Sequence, residues 1–167
     1  MLSVHERGFE PTDRSEPGHW EGDLIVGPHN RSAIGTLVER QTRYVKLLHL
    51  PAHNSIQLHS ALVRALGQLP PALRKTLTCD QGTEMAKHLD VTADTGIKVY
   101  FCDAASPWQR GSNENTNGLL RQYFPKSTDL SIHTACDLAR VEAELNRRPR
   151  IVLNDRAPHE LFSALLA

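Results

Sequence analysis

His19-Trp20-Glu21-Gly22-Asp23-Leu24-Ile25-Val26 is the stretch on which the fold turns. Its β-forming end, Leu24 to Val26, gains nothing from an aspartate beside it, because Asp is depleted from strands, so Asp23 needs a reason other than propensity. Holding a metal ion is such a reason. Two further carboxylates sit in settings that suit the same task, Asp80 in Thr78-Cys79-Asp80-Gln81-Gly82-Thr83-Glu84 and Glu114 in Gly111-Ser112-Asn113-Glu114-Asn115. Mg²⁺ takes one or two carboxylates together with waters and substrate phosphate oxygens, so three acids drawn from distant segments point to phosphoryl transfer.

Working outward, Trp20 to Gly27 reads as a first strand, and Ala33 to Glu39 with Tyr44 to Leu50 as a hairpin turning at Arg40-Gln41-Thr42-Arg43. Leu58, Leu62, Leu66 and Leu69 recur at helical spacing in Ser55 to Leu69, with Asn54 or Ser55 as cap and Pro70-Pro71 as stop. Thr76 to Cys79 reads as a strand ending at Asp80, Thr83 to Leu89 as a helical turn or two, and Ile97 to Cys102 as a fifth strand. Helices follow at Ser112 to Phe124, Ile132 to Asn146 and Pro158 to Leu166. A meander followed by alternating strands and helices predicts an α/β fold with a five-stranded mixed sheet flanked by helices, its ligands gathering at strand ends.

A chain of 167 residues suits one compact domain. Residues 1–18 are polar, without periodicity, and read as an extended N-terminal arm; residues 19–167 read as the core. Lys plus Arg equals Asp plus Glu at 19 each, so any grip on nucleic acid has to be local. Cys79, Cys102 and Cys136 form no ligand pattern and read as small core residues of a reducing compartment. The start is not a signal peptide and no apolar run is long enough to span a bilayer, so the reading expects a soluble cytoplasmic protein with no membrane partner.

Each acid has a bland alternative. Glu114 could complement a helix N-terminus capped by Ser112 or Asn113, Asp80 could be a turn former after its strand, and Asp23 an exposed residue of an edge strand with Glu21 on the same side. Against this, Asn117, Gly118 and Arg121 follow Glu114 at three, four and seven residues and are predicted to share its face, while Leu119, Leu120, Tyr123 and Phe124 take the core side. Gly82 permits a tight turn just beyond Asp80. Glu21, Glu39 and Glu84 could add a further acid and stay outside the assignment. His49, His53 and His59 have no zinc spacing, and no acyl-hydrolase elbow or phosphate-cradling loop ending in Lys is present.

The strings Gly18-His19-Trp20-Glu21-Gly22-Asp23, Gly35-Thr36-Leu37-Val38-Glu39-Arg40, Asp80-Gln81-Gly82-Thr83-Glu84-Met85 and Ser106-Pro107-Trp108-Gln109-Arg110-Gly111-Ser112-Asn113-Glu114-Asn115-Thr116-Asn117-Gly118-Leu119-Leu120-Arg121-Gln122-Tyr123-Phe124-Pro125-Lys126 resemble the catalytic core of bacterial insertion-sequence transposases of family thirty. The resemblance runs from about Gly18 to Phe162. It implies a ribonuclease H-like fold of the integrase and transposase group. It also implies that Asp23, Asp80 and Glu114 are the catalytic trio and the ligands of two divalent ions, Mg²⁺ or Mn²⁺. The 33 residues between Asp80 and Glu114 fit the family's spacing.

The implied activity is cleavage of transposon ends and joining of the freed 3′-hydroxyl to target DNA. The implied partners are DNA and further copies of the chain, because two element ends are processed together. Arg110, Asn117, Arg121 and Lys126 are the candidate DNA contacts. Trp20 and Trp108 could stack on bases, although packing is the commoner role. Full-length members carry an upstream helix-turn-helix region that this sequence does not include. Asn146-Arg147-Arg148-Pro149-Arg150 resembles the family's late signature, but Asn154-Asp155-Arg156-Ala157-Pro158 stands where a Gly, an aromatic and Thr-Pro are expected. Two other functions fit the same residues: a truncated, non-catalytic regulator that pairs with full-length copies, and a ribonuclease H-like nuclease that only hydrolyses.

Overall fold

The computed structural model describes residues 1–10, 13–80, 87–103, 109 and 111–167. The sheet consists of β1 (Leu2–Ser3), β2 (His19–Val26), β3 (Ala33–Glu39), β4 (Val45–His49), β5 (Thr76–Cys79) and β6 (Lys98–Phe101), ordered β1-β6-β5-β2-β3-β4. β2 to β4 form the antiparallel meander, and β1, β6, β5 and β2 run parallel to one another. Five helices accompany it: α1 (Ser55–Gly67), α2 (His88–Thr95), α3 (Gly111–Leu120), α4 (Ala135–Asn146) and α5 (Pro158–Leu166). The five predicted strands are present, and a sixth, β1, is added. Two residues carry no readable alternation, which is why the sequence concealed it. Val4 and Arg7, just after β1, are buried too.

Side-chain alternation divides the interior into two cores. Trp20, Leu37, Leu48 and Leu77 face one way, packing with Leu58, Leu62 and Leu66 of α1, Val91 of α2 and Phe162 of α5. Ile25 and Ile34 face the other way, toward Leu120 and Phe124 and toward Leu138, Val141 and Leu145 of α4. Trp20 is a packing residue, fully buried with its indole N–H donated to the Leu73 carbonyl at 2.8 Å. Gly22 points to the α1 side, where a Cβ would stand 3.0 Å from Leu77 Cδ1. Cys79 and Cys102 are core residues as predicted, whereas Cys136 is exposed on α4.

β4 is an edge strand, and α4 occupies its open hydrogen-bonding groups. Val45 N–H donates to Asn146 Oδ1 at 2.9 Å, Asn146 Nδ2 returns a bond to the Val45 carbonyl at 2.9 Å, and Leu47 N–H donates to Glu142 Oε1 at 2.8 Å. Side chains thus substitute for a further strand and blunt the edge. Burial pushes the Glu142 carboxyl up, opposed by the Leu47 N–H and the charge of Lys46.

The departures from the family's late signature have local consequences. Asn154 lies at φ 56°, the left-handed region where the expected glycine would sit without strain, and asparagine tolerates it better than most side chains. Ala157 is the N-cap of α5 and supplies no capping oxygen, where the expected threonine would.

Two outcomes follow from these features. Ala157→Thr is expected to raise stability by about 1 kcal/mol, the usual worth of an N-cap oxygen, and an unchanged denaturant midpoint would contradict the capping argument. Because the folded carboxyl of Glu142 titrates above its unfolded value of about 4.3, the folded state holds the extra proton, and stability declines as pH rises through the window between the two values. Glu142→Gln keeps an acceptor for Leu47 and removes that decline, so melting curves across this window should show the variant gaining on the parent toward neutral pH.

Candidate active site

The parallel pairing of β2 and β5 sets His19 opposite Thr76, Trp20 opposite Leu77 and Glu21 opposite Thr78. Continued by two residues, that register brings Asp23 level with Asp80, just beyond the end of β5, and paired residues of parallel strands point to the same face. Both line one small pocket, with Gly22, Cys79 and the apolar side chains of α1 among its walls. Asp23 is half-buried and Asp80 exposed. β2 lies between β5 and β3, so the edge-strand explanation of Asp23 is excluded.

On the face opposite α1, Glu21, Asp23 and Thr36 meet α3. Asn113 N–H donates to Glu21 Oε2 at 3.1 Å, and Asn113 Nδ2 donates to the Glu21 carbonyl at 3.2 Å and to Thr36 Oγ1 at 3.3 Å. One turn on, Asn117 Nδ2 donates to Asp23 Oδ2 at 3.1 Å, while Asp23 Oδ1 accepts the Leu24 N–H at 2.8 Å. Asn117, a candidate DNA contact, is therefore committed to the Asp23 carboxylate. Glu114 is exposed in the first turn of α3. Asp23 and Asp80 share one pocket whose lining does not include Glu114, and among the described residues no three His, Cys, Asp or Glu groups are close enough to share one ion.

α3 ends at Leu120, short of the predicted Phe124. Arg121 therefore falls beyond the helical face on which it was placed, and its guanidinium donates to the Phe124 carbonyl at 3.3 Å. Lys126 is exposed. Arg110, Trp108, Gly82 and Glu84 lie outside the described residues. The inward face of α3 also differs from the prediction. Ser112, Asn113 and Thr116 are buried with Leu120, so its first half docks through polar groups rather than leucines.

Sequence reasoning passed over Glu21 and the arginines around it. Glu21 is 0 % exposed and lies 3.8 Å from Arg40 Nε, itself buried. Arg14 and Arg43 both donate to the Ser112 hydroxyl, Arg14 also donates to the Arg40 carbonyl at 3.2 Å, and Arg7 donates to Thr78 Oγ1 at 2.9 Å. Burial pushes the Glu21 carboxyl up, opposed by Arg14, Arg40, the Ser112 hydroxyl and the Asn113 N–H. Burial pushes the Arg40 and Arg43 guanidinium groups down to about 10. The spacing of Glu21 and Asp23, two apart on a strand, was the available signal that they share a face. Asp103, just past β6, and Gln109 also clasp each other, with Asp103 N–H donating to Gln109 Oε1 at 2.8 Å and Gln109 Nε2 to Asp103 Oδ2 at 3.0 Å. His5 reaches the same carboxylate at 2.6 Å.

A mixed sheet covered on both faces, with Asp23 on its central strand, Asp80 just past the neighbouring one and a polar helix sewn over Asp23, has the ribonuclease H-like fold. The integrase core domain family matches residues 13–107, more than half of the chain, and the protein belongs to that family. It is 50 % identical over 167 residues to the transposase for insertion sequence element IS1086 of Cupriavidus metallidurans, covering 100 % of this chain and 49 % of that protein. It is 51 % identical over 159 residues to the transposase InsI for IS30C of Escherichia coli, covering 95 % and 41 % respectively. The chain thus spans about half the length of the curated relatives it matches. The catalytic core domain of BIV integrase shares the fold, with a TM-score of 0.64 at 16 % identity over 88 % of this chain and 94 % of that one. No helix among the described residues is long and apolar enough to cross a membrane.

Removing the Glu21 carboxylate strands a buried N–H on α3 and uncompensated guanidinium groups. Glu21→Ala should cost roughly 3 to 5 kcal/mol in urea unfolding, the usual penalty for breaking a buried ion pair from one side. Glu21→Gln, which keeps an acceptor for Asn113, should cost less. Equal losses in both would refute the role given to the carboxylate's bond to the helix.

Proposed function

We propose that this chain is a transposase catalytic core that cleaves DNA at the ends of an insertion element and joins the freed strands to target DNA, with Asp23, Asp80 and Glu114 as its catalytic carboxylates. The observation that carries the reading is the register of β2 and β5, which, continued by two residues, brings Asp23 in the middle of β2 level with Asp80 just past the end of β5. The 50 % identity to an insertion-sequence transposase supports the same assignment.

The donor set suits hard cations. Asp23 and Asp80 offer oxygen ligands from adjacent strands, and Glu114 lies one residue from an anchored asparagine on the helix above them. Two Mg²⁺ or Mn²⁺ ions bound by these three residues would polarise the scissile phosphate and lower the pKa of an attacking hydroxyl. The residues of the chain do the rest. Asn117 fixes the Asp23 carboxylate in one rotamer, and Glu21 holds the first turn of α3 so that Glu114 approaches from a defined direction. Arg110, Arg121 and Lys126 position the phosphate backbone. In cleavage a water oxygen attacks phosphorus and a 3′-hydroxyl leaves; in joining, that hydroxyl attacks a target phosphodiester and a target 3′-oxygen leaves. The core works in the bacterial cytoplasm as a homo-oligomer, since two ends have to be cut and joined together, and residues 1–18 form the arm leading into residues 19–167.

Melting temperatures measured with increasing Mn²⁺ test the ligand assignment, because a ligand that binds only the folded state stabilises it. The parent should rise, and Asp23→Asn, Asp80→Asn and Glu114→Gln should each lose that rise. Without metal, Asp80→Asn should melt no lower than the parent, since one of two neighbouring anions is gone. A full Mn²⁺ response in all three variants would overturn the trio. Retention of DNA cutting and joining by Asp80→Asn would overturn the catalytic assignment of Asp80, and cutting without joining by the parent would identify a nuclease.

A further inference from the structure

The segment between α4 and α5 exposes what the rest of the chain buries. Ile151 is 89 % exposed and Val152 62 %, on a short 3-10 turn spanning Ile151–Leu153. The turn is firmly closed. Arg150 N–H donates to the Arg156 carbonyl at 3.0 Å, Asp155 N–H donates to the Arg150 carbonyl at 2.9 Å, and Asn154 and Asp155 reverse the chain with φ of 56° and 62°. The two aliphatic residues are thus held at an apex in water by the backbone beneath them.

Around that apex the charge is strongly one-sided. Arg147, Arg148, Arg150 and Arg156 fall within ten residues that contain one acid, Asp155, in a chain whose charges cancel overall. Arg148 is fixed from below, donating to the Tyr123 hydroxyl with its guanidinium 5.5 Å from the centre of that ring. Arg156 lies 3.6 Å from Glu160, and Arg147 is exposed. Arg150 is half-buried, and no carboxylate among the described residues lies within ion-pairing distance of it. Burial alone lowers its pKa, with no acid opposing. Its charge is felt by Arg43, the residue that donates to Ser112 on the first turn of α3. A half-buried cation with no ion-pairing carboxylate among the described residues, set among further arginines, calls for an anion from outside.

A polyanion with an apolar groove floor fits both halves of this surface. Arginines meet phosphates, and branched aliphatic side chains press against sugars and base steps in a minor groove. Two aliphatic residues ringed by arginines make a poor core for a protein interface, which buries on the order of 1,000 Å² or more and excludes charge from its centre. We propose that the tip from Arg147 to Arg156 is a DNA-contacting surface, with Arg147 and Arg150 on phosphates and Ile151 and Val152 in the minor groove, on the side of the molecule where α3 begins. This rests on the transposase reading and adds to it a surface outside the carboxylate site.

The test is fluorescence anisotropy of the 167-residue chain with a labelled DNA duplex of arbitrary sequence, titrated at stepped KCl without divalent ions. In Arg147→Gln/Arg150→Gln the slope of log affinity against log salt should fall by about two, one for each phosphate that no longer meets an arginine. In Ile151→Ser/Val152→Ser affinity should fall several-fold with the slope unchanged. Both variants should melt close to the parent, because the aliphatic pair and Arg147 are exposed. A parent that binds DNA while both variants bind it equally well overturns the tip and leaves the transposase reading standing. A parent that does not bind DNA at all overturns the transposase reading together with the tip. A variant that loses DNA only because a dimer falls apart, seen by light scattering at the same concentration, overturns the proposal in favour of a second copy of the chain.

Discussion

The two hydrogen bonds from Asn113 and Asn117 to the Glu21 carbonyl and the Asp23 carboxylate are the constraint on which the site depends. They exist because two periodicities coincide. Residues four apart on a helix rise about 6.0 Å, and residues two apart on a strand about 6.6 Å, so one face of α3 lies in step with one face of β2. Each amide then meets its strand partner without bending either element. Thr36, on the neighbouring strand, completes the pattern by accepting from Asn113 and donating to the Asp23 carbonyl at 3.2 Å. A leucine at position 117 would remove the bond to Asp23 Oδ2, and one at position 113 would remove the bonds to the Glu21 carbonyl and Thr36. Polar docking at the start of α3 and apolar docking at its end, through Leu120 and Phe124, therefore divide the work of orientation and adhesion.

This arrangement takes Glu21 out of water, a cost that the fold meets by enclosing it among arginines. One carboxylate does not balance Arg7, Arg14, Arg40 and Arg43, and part of that charge is spread by other means. Arg7 and Arg40 lie over the Phe9 ring, 4.4 and 4.6 Å from its centre. Arg14 and Arg43 share the Ser112 hydroxyl. Two of these four arginines come from residues 1–18, so the polar arm is tied to the first turn of the helix that carries Glu114. Replacing the cluster by apolar side chains would suit stability, since buried ion pairs rarely improve on good packing. Its retention fits a need to fix the direction of α3 rather than simply to attach it.

Much of the sheet was legible in the sequence because strong local signals agreed. Thr76 to Cys79 ends at an aspartate and a glycine, Ser55 to Leu69 has leucines at helical spacing between a cap and two prolines, and Pro158 to Leu166 begins with the proline that favours a helix start. What escaped was where a tertiary partner decides. β1 is two residues long, and α2 (His88–Thr95) carries little apolar periodicity, with Val91 and Thr95 as its buried residues. α3 stops at Leu120 because Arg121 to Tyr123 turn back on it, a choice that helical propensity does not announce. Within the candidate site, Asp23 stood out by its misfit with strand propensity and Asp80 by its place between a strand and a glycine-containing turn. Glu21 was named as a possible further acid and left outside the assignment, because its enclosure among arginines follows only once β2 is central in the sheet. Asn113 read as a cap because asparagine is a good one, and only the packed sheet turns it inward.

Glu114 stands apart for a reason contained in the same geometry. Successive residues on a helix are about 100° apart, so with Asn113 and Asn117 directed at the sheet, Glu114 lies about 60° further round than Asn117, at the margin of the buried face. Asp23 and Asp80 already place two negative charges on adjacent strands, and a third brought among them without a cation would raise the electrostatic energy steeply as water is excluded. Asn113 and Asn117 hold the helix, and Asn117 with the Leu24 N–H holds Asp23, which leaves Glu114 at the solvent boundary with its own side-chain torsions to adjust. On the assignment proposed above, this third carboxylate would join the aspartates only as positive charge arrives, so that ion binding and completion of the carboxylate set would be one event.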